Sequence, residues 1–394
     1  MIHSKGITYI LAANFFERFA FYGVKAILLL SLLDLTTGHT WPAAEALAFY
    51  ATFAMSLYVG SLVGGVCIDL FLGAYRALFL GAVLMALGYL SLIFLQGEAI
   101  YLAGGLIVIG SGLFKPSIPT MLSHQLAPQP EKLDSIFTGQ YLMVTLGSVL
   151  GPIMVGLLAE SLGWSSGFIC AAVIASIVVV LVLSGKQYLP KQSQQANIKD
   201  QTQNQPLLPA FAMVSVVALI AGVFFVFIGL GTELTFDALS EQKNNVANGQ
   251  NFTLIITGIL LAILWWFVAI NSWYKVAISF VILSLGWLVF NYSLPNSWHT
   301  RHLVVFSLVL FAIAEAFCSA IFLSIVAKNA YKPLLSSSFS WYFLLSSTVL
   351  LLVMPIISDK TNMILLALIA MFCGVAILLM ALFTRTTPAI KKEE

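Results

Sequence analysis

Charged residues are unusually scarce in this sequence. Only 9% of its 394 residues are Asp, Glu, Lys or Arg, whereas a water-soluble domain carries roughly a quarter. Hydrophobic residues make up 60% of the chain. This composition excludes an ordinary soluble protein and predicts an all-α integral membrane protein with almost no soluble mass. We expect membrane lipid around it and no nucleic-acid partner.

Metal-ligating and catalytic patterns are also scarce. The four cysteines have no CxxC spacing and the five histidines form no cluster, so we expect no disulfide, metal or cofactor. The spans contain no Gly-x-Ser-x-Gly, His-Glu-x-x-His or paired catalytic Asp motif, and an enzyme is therefore not expected. A receptor without transport activity is a further alternative, and charged residues within the spans disfavour it.

Apolar blocks of about 20 residues recur along the whole chain, which is the length that crosses a bilayer as a helix. Twelve spans are predicted, in two groups of six. The first group is 7–33, 46–68, 77–95, 99–121, 136–159 and 166–184. The second group is 209–239, 252–270, 273–292, 302–326, 336–357 and 362–384. Two bundles of six helices are a common transporter architecture.

A polar linker and the placement of basic residues define the organisation. Residues 185–208 are rich in Gln, Asn, Lys and Ser, which predicts a linker between bundles at 1–184 and 209–394. With the N-terminus inside, twelve basic residues fall on inner segments and three on outer loops, so both termini and the linker are expected to be cytoplasmic. The inner set is Lys5, Arg76, Lys132, Lys186, Lys191, Lys199, Lys275, Lys328, Lys332, Arg385, Lys391 and Lys392.

Five ionisable residues lie well within spans, where charge is expensive and marks function. They are Glu17, Arg18, Lys25, Lys115 and Glu315. Helical spacing places Arg18 and Lys25 on one face of the first span with Asn14 and Tyr22, and Glu17 on a neighbouring face. The alternative is that these charges are structural ion pairs, for example Glu17 with Lys115, and that Lys25 extends outwards to the interface.

Lys115 follows two glycines and precedes two prolines in the fourth span, a composition that favours close helix approach and an opened helix beside a cavity. Glu315 lies in the other half of the chain. A cavity between the halves would then be basic on one side and acidic on the other. Such a cavity suits a zwitterion, with Arg18, Lys25 and Lys115 holding a carboxylate and Glu315 holding an ammonium. Glu17 or Glu315 could carry a coupling proton.

A second motif runs from Gly64 to Arg76, between the second and third spans. Gly64 and Gly65 are expected to close a helix end, with Asp69 and Arg76 flanking a tight cytoplasmic turn. Because charges of this kind bind helix termini, Asp69 and Arg76 are predicted to latch one conformation. Ordinary loop charges are the alternative.

At these residues the chain resembles the proton-coupled oligopeptide transporter family of the major facilitator superfamily. The first-span signature Glu-x-x-Glu-Arg-Phe reads here as 14–19, followed by Phe21-Tyr22-Gly23 and Lys25. Residues 112–116 resemble the fourth-span Gly-x-Phe-Lys-Pro. Residues 137–147 resemble the fifth-span Phe-Tyr-x-x-Ile-Asn-x-Gly, retaining Tyr141 and Gly147.

The resemblance implies roles for individual residues. Arg18, Lys25 and Lys115 would engage a peptide carboxylate and Glu315 the amino terminus. The remaining residues expected at the substrate are Tyr22, Tyr58, Asn14, Thr145 and Trp341. The resemblance thus implies proton-coupled import of di- or tripeptides, or peptide-like zwitterions, by a monomer in the bacterial inner membrane.

Several positions depart from the family pattern. Asn14 replaces the first glutamate and cannot titrate, Thr145 replaces the fifth-span Asn, and Lys25 replaces an arginine. Ile228 and Gly229 occupy the place of the seventh-span Glu-Gln pair, and the two extra helices of many bacterial members are missing. These departures favour an alternative on the same fold, namely an exporter or facilitator of another amphoteric molecule such as a drug, siderophore or amino-acid derivative.

Overall fold

A computed structural model describes residues 4–34, 40–94, 97–190, 206–238, 243–268, 270–293, 301–358 and 363–386. Within these ranges the chain forms twelve long α-helices and no strand. The first six are α1 (Ser4–Leu33), α2 (Ala43–Cys67), α3 (Ala74–Phe94), α4 (Ile100–Gln125), α5 (Leu133–Leu162) and α6 (Trp164–Gly185). The second six are α7 (Leu207–Ala238), α8 (Lys243–Phe267), α9 (Ser272–Ser293), α10 (Arg301–Asn329), α11 (Leu335–Ser358) and α12 (Met363–Thr386).

Each predicted span corresponds to one helix. Most helices extend a few residues beyond the predicted limits, and α8 begins well before the predicted position 252. Ten helices are long and apolar enough to cross a membrane, and the other two are α1 and α8. The chain is therefore an integral membrane protein, as its composition predicts. Most of the predicted linker lies outside the described residues, so the domain boundaries stay a prediction.

Glycines set the close spacing of α2 against its neighbours, which corrects one expectation. Gly64 and Gly65 do not end α2, because the helix runs on to Cys67 and continues as a π-helical turn to Leu72. The chain turns instead at Gly73, where φ is +75°. A Cβ at Gly64 would collide with the carbonyl oxygen of Gly112 on α4.

Gly65 faces the second set of helices. A Cβ there would collide with Ser340 Oγ, and it would lie 2.8 Å from the carbonyl oxygen of Ser336, both on α11. Glycine at this position therefore allows α2 and α11 to approach closely. The pair Gly64–Gly65 acts in helix packing and not as a helix stop.

α4 is continuous through both of its prolines, so Pro116 and Pro119 do not break the helix. Polar side chains one turn away bond to carbonyl groups of this segment. Ser117 Oγ donates to the Leu113 carbonyl and Thr120 Oγ1 to the Pro116 carbonyl, both at 2.8 Å. The expected glycine packing is present, because Gly112 lies against Gly60 of α2.

Helices α1–α6 pack together, as do α7–α12, and a limited set of helix pairs joins the two groups. α2 packs against α11, and α5 packs against α8 and α10. Ser135 Oγ of α5, for example, donates to the carbonyl of Ala262 on α8 at 2.7 Å. We call the end at which α6 ends and α7 begins the linker end. The seam between the two groups positions the charged residues discussed next.

Candidate functional site

A cavity of about 270 Å³ lies between the two groups of helices. It is lined from α1, α4 and α5 on one side and from α7, α10 and α11 on the other. The lining residues are Asn14, Arg18, Tyr22, Lys115, Gln140, Tyr141, Val144, Phe225, Glu315, Ser319, Leu323, Tyr342, Phe343, Ser346, Ser347 and Leu350. The structure thus brings together five predicted site residues, namely Asn14, Arg18, Tyr22, Lys115 and Glu315.

Glu17 and Arg18 form a buried ion pair next to this cavity. Arg18 Nε and Nη2 donate to the two carboxylate oxygens of Glu17 at 2.5 and 2.6 Å. The guanidinium also lies 4.8 Å from the ring centroid of Phe21 and 5.9 Å from that of Tyr22. Glu17 therefore pairs with its chain neighbour, and the alternative pairing of Glu17 with Lys115 does not form. Two of the Arg18 donors are already engaged.

Lys115 lies among aromatic rings. Its Nζ is 4.3 Å from the ring centroid of Phe343 on α11 and 5.6 Å from that of Tyr58 on α2. Within the described part of the chain, no carboxylate forms an ion pair with it. The ammonium group is consequently stabilised by ring faces and is available to an anionic ligand.

Glu315 enters the cavity from the opposite side, on α10. Its Oε1 accepts a hydrogen bond of 2.9 Å from the hydroxyl of Tyr141 on α5. No Lys or Arg of the described residues lies within ion-pair distance of this carboxylate. Glu315 and Lys115 thus face one cavity as opposite charges that are not paired with each other.

Four further predicted residues do not line the cavity. Lys25 is half-buried about two turns beyond Arg18, and its carbonyl accepts a 3.4 Å bond from the Tyr50 hydroxyl. Thr145 Oγ1 donates to the Tyr141 carbonyl at 3.0 Å. The Tyr58 ring does not line the cavity but lies beside the Lys115 ammonium group.

Trp341 is the fourth of these residues. Its indole N–H donates to Ser215 Oγ at 2.9 Å, and its ring centroid lies 5.2 Å from that of Phe211, both on α7. The next two residues of α11, Tyr342 and Phe343, line the cavity instead. A step of 100° per residue along a helix explains the difference, since it turns Trp341 towards α7.

Sequence reasoning did not select several lining residues, among them Gln140, Ser319 and Tyr342. One signal was present, because Ser319 and Leu323 follow Glu315 at successive steps of four and therefore share its helix face. Ser346 likewise lies one turn beyond Tyr342. No signal distinguished the cavity face of α11 from its other faces, because aromatic and serine residues occur all around it.

Asp69 contacts the start of α11 at the linker end. Its carboxylate accepts bonds from the Ser336 N–H at 3.2 Å, from the Ser337 N–H at 2.7 Å and from the Ser337 hydroxyl at 2.8 Å. A carboxylate at a helix N-terminus is favourable because it satisfies free N–H groups and the helix dipole. Arg76, the other predicted latch residue, is exposed and lines a separate cleft with Lys186.

A second cross-group cluster at the linker end was not predicted. Asp134, at the start of α5, accepts hydrogen bonds from Lys275 Nζ and Ser324 Oγ, and from Lys328 Nζ at 2.7 Å. Ser272 Oγ adds bonds of 3.1 Å to both oxygens of this carboxylate. Asp134 and Lys275 are buried, and Lys275 Nζ also lies 4.1 Å from the Trp265 ring centroid. The cluster joins α5 to α9 and α10.

Comparison with known proteins identifies sequences that are similar to this chain. A family profile described as PTR2: POT family matches residues 75–225. The di-/tripeptide transporter of Lactococcus lactis subsp. cremoris is 26% identical over 324 residues, which cover 75% of this chain and 65% of the relative. The peptide transporter YePEPT of Yersinia enterocolitica is 31% identical over 188 residues, or 46% of this chain and 37% of the relative. The chain spans less than two thirds of the length of these relatives.

Solved structures share the fold over nearly the whole chain. A POT family transporter in complex with a thioalcohol-conjugated peptide superposes with a TM-score of 0.65 at 17% identity, covering 95% of this chain and 96% of that one. A crystal structure of a peptide transporter POT gives 0.62 at 18% identity, with 96% and 94% coverage. The described helices therefore have the same fold as these solved structures.

The chain is thus similar to the POT family over residues 75–225, and to a di-/tripeptide transporter over three quarters of its length. The profile match spans α3 to the middle of α7, and it includes Lys115 and Tyr141. This similarity agrees with the resemblance of the sequence motifs to the same family.

Proposed function

We propose that this protein is a secondary active transporter that imports di- and tripeptides, or peptide-like zwitterions, together with protons. The observation that carries the proposal is the charge distribution of the central cavity. Lys115 and Arg18 lie on one side of it and Glu315 on the other. A small ligand with a carboxylate and an ammonium group matches both charges at once, and the names of the relatives agree with such a ligand.

The size of the cavity agrees with a small ligand. Pockets for small molecules usually have volumes of about 300–1,000 Å³, and the volume of about 270 Å³ here is near the lower limit. Polar groups at the cavity wall, including Tyr22 and Tyr342, supply neutral hydrogen bonds. Lys25, Tyr58, Thr145 and Trp341 would act from behind this wall.

Glu17 and Glu315 are the two carboxylates that we assign to proton coupling. Asn14 cannot titrate, so Glu17 is the remaining acid within α1. While Glu17 is ionised, it holds two donors of the Arg18 guanidinium. A proton on Glu17 would weaken that pair and release Arg18 to bind a ligand carboxylate. Glu315 would exchange its proton as the ligand ammonium arrives.

Alternating access would follow from opening and closing of the seam between the two groups of helices. Asp69 and Asp134 both make contacts across this seam at the linker end. Those contacts must break before the cavity can open there. With the linker end cytoplasmic, as the basic residues predict, their rupture would release the ligand into the cell. We place the protein, as a monomer, in the bacterial inner membrane with both termini cytoplasmic.

Reconstitution in liposomes tests the proposal. Uptake of labelled dialanine is measured with and without an inward proton gradient, and protein-free liposomes serve as the control. Uptake that the gradient stimulates is the expected result. No uptake under either condition contradicts a peptide substrate, and equal uptake under both conditions contradicts proton coupling. Gradient-driven release from loaded vesicles would favour the exporter alternative.

A further inference from the structure

Gln140 lies at the wall of the central cavity, and its side chain has no hydrogen-bond partner among the described residues. The residue is 6% exposed, and its Oε1 atom is inaccessible and makes no hydrogen bond. The side-chain amide also donates to no described residue. A buried amide that pairs with nothing is unfavourable for folding. Because this amide lies at the candidate binding cavity, a ligand could supply the missing hydrogen-bond partner.

The position of Gln140 lies between the two charged ends of the site. Its own backbone carbonyl accepts a 3.4 Å bond from Asn14 Nδ2, which holds it against the α1 wall with Arg18. The next residue, Tyr141, donates to Glu315 on α10. Adjacent residues of α5 therefore contact α1, which carries Arg18, and α10, which carries Glu315. The Gln140 side chain lines the cavity between these two helices.

Packing does not explain a polar residue here. The fifth-span pattern that this segment resembles places a phenylalanine immediately before its tyrosine, and Gln140 stands in that place. A phenylalanine would fill the same wall with no polar atom to satisfy. The glutamine thus brings hydrogen-bonding capacity that the fold itself does not use.

We infer that Gln140 recognises the uncharged CO–NH group that joins the ammonium-bearing and carboxylate-bearing parts of the ligand. A side-chain amide complements this group, since Oε1 accepts from an N–H while Nε2 donates to a C=O. Oε1 is inaccessible in the present arrangement, and rotation about the terminal side-chain bond would turn it towards the cavity. Gln140 is then a specificity-determining residue that favours amide-linked zwitterions over zwitterions of equal length without an amide. This inference rests on the proposed function.

A ligand-and-mutant cycle tests the inference. The two ligands are dialanine and its ester counterpart alanyl-lactate, which has the same charged ends and similar size but an oxygen in place of the N–H. Apparent affinities are measured in liposomes by competition against labelled dialanine uptake. For the unaltered protein we expect the ester to compete roughly tenfold less well, because a buried acceptor is left facing an oxygen.

Gln140→Leu is expected to bind dialanine more weakly and to lose the preference for the amide, so that the two ligands compete equally. Gln140→Phe, which restores the residue of the family pattern, should behave the same way. Ser148→Ala is the matched control, because Ser148 is on the same helix, bonds only to the Thr145 carbonyl and lies outside the cavity wall. It should keep the full preference.

Two outcomes overturn the inference, and they can be told apart. If dialanine is transported and Gln140→Leu still prefers it over the ester as strongly as the unaltered protein does, Gln140 does not read the amide. If the unaltered protein transports no dialanine, the proposed function itself fails and this inference fails with it.

Discussion

Two buried charge clusters lie on the seam between the helix groups, and they are built in opposite ways. At the linker end, the Asp134 carboxylate binds two lysines and two serines, so its charge is fully compensated by protein. In the central cavity, neither Lys115 nor Glu315 forms an ion pair with a described residue; rings flank the one and a tyrosine hydroxyl bonds to the other. Because an uncompensated buried charge is costly, this difference supports a structural role for the Asp134 cluster and a ligand-binding role for the cavity.

The Glu17–Arg18 pair is intermediate between these two clusters. It is a close, two-bond ion pair like those at the linker end, yet it is made by adjacent residues of one helix. Breaking it would therefore break no ion pair between described helices. We propose that this pair exchanges its partner for a ligand carboxylate and belongs functionally with the cavity.

The largest effect is expected when the cavity loses the ammonium group of Lys115. Lys115→Ala should lower transport of dialanine by about 100-fold or more, because truncating one partner of a buried charge pair typically costs several kcal/mol of binding. Stability should change little, since Lys115 forms no ion pair with a carboxylate of the described residues. Uptake in liposomes and thermal unfolding of the purified protein measure the two quantities. Unchanged uptake with a large fall in stability would assign Lys115 to structure instead.

Glu315→Gln tests the acidic wall. Glutamine keeps the shape and an oxygen that can accept the Tyr141 hydroxyl, so the local packing should survive. The lost charge should weaken uptake by roughly 10- to 100-fold and should remove the stimulation by a proton gradient. Uptake is measured at several external pH values with Tyr141→Phe as the comparison variant. Retained gradient stimulation in Glu315→Gln would show that the coupling proton binds elsewhere, with Glu17 as the next candidate.

Asp134→Asn tests the other half of the comparison. The neutral amide leaves the buried Lys275 without its counterion, and removal of one partner from a buried ion pair costs about 3–5 kcal/mol. We expect a large fall in unfolding free energy, measured by detergent-induced unfolding. The double variant Asp134→Leu/Lys275→Met removes both buried charges and should recover much of the loss.

The same variants also distinguish the clusters functionally. Because Asp134 does not touch the cavity, ligand affinity measured in the folded protein should be changed far less by Asp134→Asn than by Lys115→Ala. If the Asp134 variant were fully stable but bound no ligand, the separation between a structural and a ligand-binding cluster would be wrong.

Some features of this molecule can be predicted from residue types in the sequence, and others cannot. Twelve apolar blocks predict twelve helices, because a bilayer leaves few other ways to satisfy the backbone. Arg18, Lys115 and Glu315 could be selected because charge within a span is rare. The Asp134 cluster could not, since Asp134 and Lys275 sit near span ends, where charge is ordinary. Only the meeting of three helix ends gives them a role.

Glycine and aromatic residues show a second kind of limit. Gly64 and Gly65 are compatible with both a helix end and a close helix contact, and the choice depends on α4 and α11, which lie far away in sequence. Trp341 and Phe343 are two positions apart on α11, and both are large aromatic residues in an apolar span. Which of them faces the cavity depends on the rotation of α11 about its axis, and local sequence does not determine that rotation.

The smallest expected effect concerns this rotation. Trp341→Phe keeps a ring against Phe211 but loses the indole bond to Ser215, which should lower stability by about 1 kcal/mol. The KM for dialanine should stay within about twofold of the unaltered value. Phe343→Leu is the matched variant on the same helix. It removes a ring that contacts Lys115, and it should raise KM with little loss of stability.

Uptake kinetics and thermal unfolding of both variants test which of the two rings faces the ligand. A raised KM for Trp341→Phe, together with an unchanged KM for Phe343→Leu, would mean that α11 turns Trp341 towards the ligand during transport. Trp341 would then line the pocket, as the family resemblance implies, in a conformation other than the one described here. Since a turn of about 200° separates the two side chains around the helix, one residue can face the cavity only while the other faces away.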